Sequence, residues 1–73
     1  MAAPHTYSVS EIVGTSHEGM DAAIRNGLAR AAKTVRNIDW FEVASVRGHA
    51  DEEEVLHFQV TLKIGFRLED PED

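Results

Sequence analysis

The chain has 73 residues, no cysteine, and thirteen acidic against seven basic side chains, a formal net charge of −6. One small domain of this length buries only about 60% of the surface its unfolded chain exposes, and without cysteine neither disulfides nor a Cys/His zinc site can staple it, which leaves oligomerisation. The negative charge opposes phosphate backbones and anionic bilayers, and no apolar run is long enough to span a membrane. Neither nucleic acid nor membrane is therefore expected as a partner.

Met1-Ala2-Ala3-Pro4-His5 has neither the basic region nor the apolar run of a signal peptide, and a cysteine-free chain fits a reducing compartment, so a cytoplasmic location is expected. Residues 5–14 are rich in β-branched and aromatic types and end on Gly14, the pattern of a first strand. Alternation places Tyr7, Val9, Glu11 and Val13 on one face and Ser8, Ser10 and Ile12 on the other, without showing which is buried. Thr15-Ser16-His17-Glu18 has the spacing of a capping box, which predicts a helix from that point to Asn37. Its apolar stripe is Met20, Ala23, Ile24, Leu28, Ala31, Ala32 and Val35, with Gly27 in line. Small residues there let a helix lie close on a sheet. Arg36 complements the negative end of the dipole, and Asn37 is a suitable terminator.

A second strand is predicted over residues 39–49, with Trp40, Glu42, Ala44, Val46 and Gly48 opposite Phe41, Val43, Ser45 and Arg47, so that neither face is cleanly apolar. Residues 49–54, His-Ala-Asp-Glu-Glu-Glu, read as a polar hairpin connection. Residues 55–68 carry the clearest signal, with Leu56, Phe58, Val60, Leu62, Ile64, Phe66 and Leu68 alternating strictly against Val55, His57, Gln59, Thr61, Lys63, Gly65 and Arg67. Such a strand spans about 46 Å, and even a 20-residue helix spans only about 30 Å. Part of the sheet is therefore expected to pack against another subunit. The tail 69–73 and residues 1–4 are expected to fray. The order strand, helix, strand, strand predicts an α+β fold, a single domain over 1–73 in which a three-stranded antiparallel sheet wraps around one helix.

The polar face of the third strand carries His57, Gln59, Thr61, Lys63 and Arg67 and is either solvated or an interface. Gln59, a mid-strand amide, offers the paired donor and acceptor that suit the edge of a planar heterocycle. Trp40, the one tryptophan, stands at a strand entrance, where an indole serves as packing or as a ligand platform. The four histidines lack a recognised metal spacing, and a chelating pair would need His49 and His57 to meet across the loop. Ser16 and His17 are adjacent and point apart, so they form no nucleophile and base. Glu11, Asp39 and Glu42 are not fixed in any visible pocket. Nothing in the sequence supports catalysis.

Taken together and in order, several segments resemble the dodecins, small flavin-binding proteins. They are residues 11–16 (Glu-Ile-Val-Gly-Thr-Ser), 30–36 (Arg-Ala-Ala-Lys-Thr-Val-Arg), 39–43 (Asp-Trp-Phe-Glu-Val), 46–48 (Val-Arg-Gly), 58–60 (Phe-Gln-Val) and 63–68 (Lys-Ile-Gly-Phe-Arg-Leu). The resemblance implies a strand-helix-strand-strand protomer in a hollow homododecamer. It also implies that Trp40 stacks on the isoalloxazine ring of FMN or riboflavin, with two flavins between two such tryptophans across a two-fold axis, and that Gln59 bonds the polar edge of the ring. Arg47 and Arg67 match positions near the ribityl phosphate or a neighbouring axis, and Ser45 matches a position that contacts the ribityl chain in some members. Some bacterial relatives also bind coenzyme A near a three-fold axis, for which Arg30 and Lys33 are the candidates. The expectation is a non-enzymatic flavin store that protects against photochemistry. The alternatives are a flavin-dependent redox enzyme and a purely structural oligomer.

Overall fold

The computed structural model describes residues 4–50, 52 and 55–69. Strand β1 (Tyr7–Ser16) is followed by helix α1 (Met20–Ala31), strand β2 (Ile38–Ala50) and strand β3 (Val55–Arg67). The three strands form one antiparallel sheet in the order β1-β3-β2, so the strictly alternating strand is the central one. That is the α+β fold expected from the element order. The expected fraying of 1–4 and 69–73 falls largely outside the described residues.

Both helix ends differ from expectation. Thr15 and Ser16 complete β1 instead of capping α1, and the N-cap is Gly19, which offers no side-chain acceptor. The hydroxyl of Ser16 accepts from the Glu18 amide at 2.9 Å, a local turn that competes with the capping box. Asn26 then ties helix to strand by donating its side-chain amide to the Thr15 carbonyl at 3.0 Å. At the far end the helix stops at Ala31 and unwinds through a turn in which the amides of Lys33 and Thr34 bond three residues back. The β-branched pair Thr34 and Val35 disfavours further helix. Asn37 adopts a left-handed conformation (φ 65°) that launches β2. It is fastened to β3, donating its side-chain amide to the Arg67 carbonyl at 3.2 Å and accepting the Arg67 amide at 3.0 Å.

The faces of β2 also need correction. Residues paired across a ladder share a face, and β2 slips relative to β3 between Ile38 and Trp40 and again between Val43 and Ser45. Each slip leaves one residue, Asp39 or Ala44, without a partner of its own, as in a β-bulge. The alternation changes phase at Ala44. Trp40, Glu42, Ser45, Arg47 and His49 therefore line one face, and Phe41, Val43, Val46 and Gly48 the other. Strict period two had divided these residues differently and made both faces look mixed.

The helix packs on the face of β1 and β3 that carries Ile12, Val60 and Leu62. Val60, Leu62 and Ile64 are buried, as are Ala23 and Ala31 of the helix. Gly14 and Gly27 set how closely the elements meet, since a methyl group on Gly14 would collide with the Ala23 carbonyl and one on Gly27 would press on the Gly14 Cα. Twelve helical residues span about 18 Å and cannot cover thirteen-residue strands of about 43 Å. On β2, Phe41, Val43 and Val46 face the helix side of the sheet yet remain 45, 44 and 45% exposed. The accessible surface of 5705 Å² exceeds the about 4,500 Å² usual for a compact monomer of 8.1 kDa.

Candidate functional site

The other face of the sheet has no helix over it, and the register sets its side chains in cross-strand rows. From one end these are Tyr7 with Arg67; Val9 with Gly65 and Trp40; Glu11 with Lys63 and Glu42; Val13 with Thr61 and Ser45; Thr15 with Gln59 and Arg47; and finally His57 with His49. All five candidate residues, Trp40, Ser45, Arg47, Gln59 and Arg67, thus lie on this one open face. The slip at Ala44 is what unites them, because strict alternation would have put Ser45 and Arg47 on the face opposite Trp40.

Trp40 rests on backbone. Its partner in register is Gly65, and any side chain at that position would run into the indole ring. Glycine within a strand marks such a close approach. From the far side Tyr7 meets the indole edge-on, with centroids 5.2 Å apart and planes at 62°, the T-shaped geometry that aromatic quadrupoles favour. Trp40 is held from below and from one flank while 40% of it stays exposed. Next to it an open depression of about 360 Å³ is lined by His5, Tyr7, Asn37, Ile38, Asp39 and Arg67.

Gln59 and Arg47 pair with each other at the opposite end of the sheet. Six positions of β3 separate Gln59 from Gly65 beneath Trp40, a rise of about 20 Å. That is longer than a three-ring heterocycle, so Trp40 and Gln59 of one chain do not reach the same ring. The structure therefore brings the five residues to one face and divides them between two ends, Trp40 with Arg67 and Gln59 with Arg47, with Ser45 between. Arg30 and Lys33 are exposed at the end of α1 and in the turn after it, outside the sheet face that carries the other five.

Beyond Gln59 three imidazoles gather. His49 and His57 stack with centroids 5.4 Å apart and planes 4° from parallel, and His17 meets His57 edge-on at 5.8 Å. The side-chain nitrogen of Gln59 lies 3.5 Å from His57 Nε2. A hollow of about 620 Å³ opens beside them, lined by Thr15, Ser16, His17, Glu18, Asn26 and His57. Among the described residues no group of three or more His, Asp or Glu is arranged to hold a metal ion, and no helix is long and apolar enough to cross a membrane.

Sequence reasoning missed Tyr7 and Gly65 on this face and His17 beside it, whereas His49 and His57 do meet across the loop, as stacked rings. Gly65, interrupting a strict alternation of side chains, was the available signal. Tyr7 had none, because its place beside Trp40 depends on two strands that both pair with β3 and never with each other.

The dodecin family model matches residues 6–69. The dodecin of Thermus thermophilus is 55% identical over 64 residues, which are 88% of this chain and 93% of that one. Among solved structures, the dodecin from Streptomyces davaonensis superposes with a TM-score of 0.89 at 56% identity, covering 93% of this chain and all of that one. The dodecin from Streptomyces coelicolor gives 0.89 at 53% identity, with 96% of this chain and all of that one covered.

Proposed function

The chain belongs to the dodecin family, and from that premise we propose that it is a non-catalytic flavin-binding protein that stores FMN, or riboflavin, and suppresses its photochemistry. The observation that carries this reading is the seating of Trp40 on Gly65, braced by Tyr7, with one ring face turned outward on an uncovered sheet. A preformed, half-exposed indole is the kind of surface on which a flat π-system stacks. An electron-rich indole in contact with an excited flavin quenches it by electron transfer, which accounts for photoprotection without turnover. Two-sided stacking also closes the ring faces to a redox substrate.

The ligand site is composite. Because Trp40 and Gln59 stand about 20 Å apart along one protomer, a ring stacked on Trp40 of one copy takes its edge hydrogen bonds from Gln59 of another. The uncovered stripe of Phe41, Val43 and Val46 supports self-assembly, and we assign the assembly as the hollow homododecamer, located in the cytoplasm. Two such tryptophans facing across a two-fold axis would sandwich a pair of flavins. Arg47 and Arg67 supply guanidinium groups suited to the FMN phosphate, and Ser45 lies between them for the ribityl chain.

Titration of FMN with apo-protein of checked mass, followed by flavin fluorescence, tests the reading. Saturable quenching at one flavin per chain, on a species of about twelve chains, is expected. An intact assembly that quenches nothing would overturn it. Coenzyme A would then be the next probe, with Arg30 and Lys33 as its first candidate contacts.

A further inference from the structure

The proposed flavin site leaves the three imidazoles at the end of the sheet without a role, and His57 touches the one residue expected to read the ligand's polar edge. His57 and Gln59 are two apart on β3 and share a face. The Gln59 nitrogen stands 3.5 Å from His57 Nε2, longer than a usual hydrogen bond and close enough for a small rotation of the amide to make one. With the neutral ring carrying its proton on Nδ1, Nε2 is an acceptor, and Gln59 donates to it. Only the amide hydrogen turned away from the Gln59 carbonyl can serve this contact while the outward edge keeps both a donor and an acceptor. It leaves the carbonyl oxygen and the remaining N–H side by side, an acceptor and donor pair pointing outward.

Protonation of His57 reverses this arrangement. Nε2 becomes a donor, so the amide must turn over and present its oxygen to the ring. The order of donor and acceptor along the outward edge then inverts. The imidazole cannot simply swing aside, because His49 stacks on it and His17 abuts its edge. We propose that His57 is a positioning residue that sets which way the Gln59 amide faces, and so makes recognition of the ligand's polar edge depend on protonation of its ring.

The proposal rests on the flavin-site reading above. The oxidised isoalloxazine edge places one N–H between two carbonyls, so an inverted Gln59 can pair with it only after the ring slides by one group, out of register with the stacked indole. Among the described residues, the charged and titratable groups around His57 are His17 and Glu18 from the connection between β1 and α1, and Arg47 and His49 from β2. The amide reversal determines how much affinity changes.

The test uses riboflavin, which lacks a phosphate that would titrate in the same range. Affinity is measured by fluorescence quenching at pH 7.5 and 5.5, with mass checked at both. We expect binding to weaken roughly five- to tenfold at the lower pH, the effect of losing about one hydrogen bond. The dependence should vanish in both His57→Leu and His57→Gln and persist in His17→Asn and His49→Asn. Saturable binding with no pH dependence, a dependence that survives both His57 variants, or a loss of affinity that follows loss of mass would each overturn the proposal while leaving the flavin site standing. Absence of quenching at either pH would overturn the flavin site, and this proposal with it.

Discussion

Two apolar stripes lie side by side on the same face of the sheet and meet different fates. The one on β3, Val60, Leu62 and Ile64, is buried under α1, closed down by the contact between Gly14 and Gly27. The one on β2, Phe41, Val43 and Val46, has comparable side chains and stays nearly half exposed. Composition does not separate them; lateral position does, because Phe41, Val43 and Val46 stand in the same rows as Ile64, Leu62 and Val60 while α1 packs on β1 and β3, one strand short of β2. An apolar stripe in a small chain states that a cover is needed, and the geometry of the remaining elements decides whether the cover comes from the same chain.

Truncating the covered stripe should have the largest effect. Leu62→Ala removes a fully buried side chain and is expected to cost about 2–5 kcal/mol per chain, read as a lower denaturation midpoint. An equally stable variant would mean that α1 contributes little to the core. Phe41→Ser on the uncovered stripe should cost about 1.5–3 kcal/mol per copy if a neighbouring copy covers Phe41, and it should appear as a lower mass on size exclusion. An unchanged mass would break the comparison, since the exposure of β2 would then be its final state.

Trp40 belongs to neither stripe and sharpens the contrast from the opposite face. Trp40→Ala should weaken FMN binding by about 1–3 kcal/mol, as for loss of one stacking platform, and leave the assembled mass unchanged. A fall in mass would make the indole an interface residue first. The smallest effect is expected from Tyr7→Leu, which removes the edge contact with the indole. A loss of about 0.5–1.5 kcal/mol in FMN affinity, with stability and mass unaltered, would separate bracing of the indole from building of the core.

Much of the fold was legible because its signals are local. Strict alternation in residues 55–68 identified a long strand and its apolar side, and the small-residue stripe of Ala23, Gly27 and Ala31 marked a helix laid close on a sheet. The helix start was misread because Ser16 and Thr15 have two competing uses, cap or strand end, and pairing of Thr15 with Gln59 and Ser16 with Phe58 decided for the strand. Of the candidate site, the identities of Trp40, Gln59, Arg47, Arg67 and Ser45 came from resemblance in sequence. Their common face did not, since period two placed Trp40 and Arg47 back to back.

By itself, then, the sequence determined the order of elements, the apolar side of β3 and the family. Only the tertiary structure decided the phase of β2, the seat of Trp40 on Gly65, the distance between Trp40 and Gln59, and the packing of His17, His49 and His57. The physical reason is the same in each case. Periodicity is a property of one segment, whereas a slipped register, a ring lying over a glycine or a pair of stacked imidazoles exists only where separate segments are hydrogen-bonded side by side, and the hydrogen bonds that align them are made by backbone groups that every residue except proline carries alike.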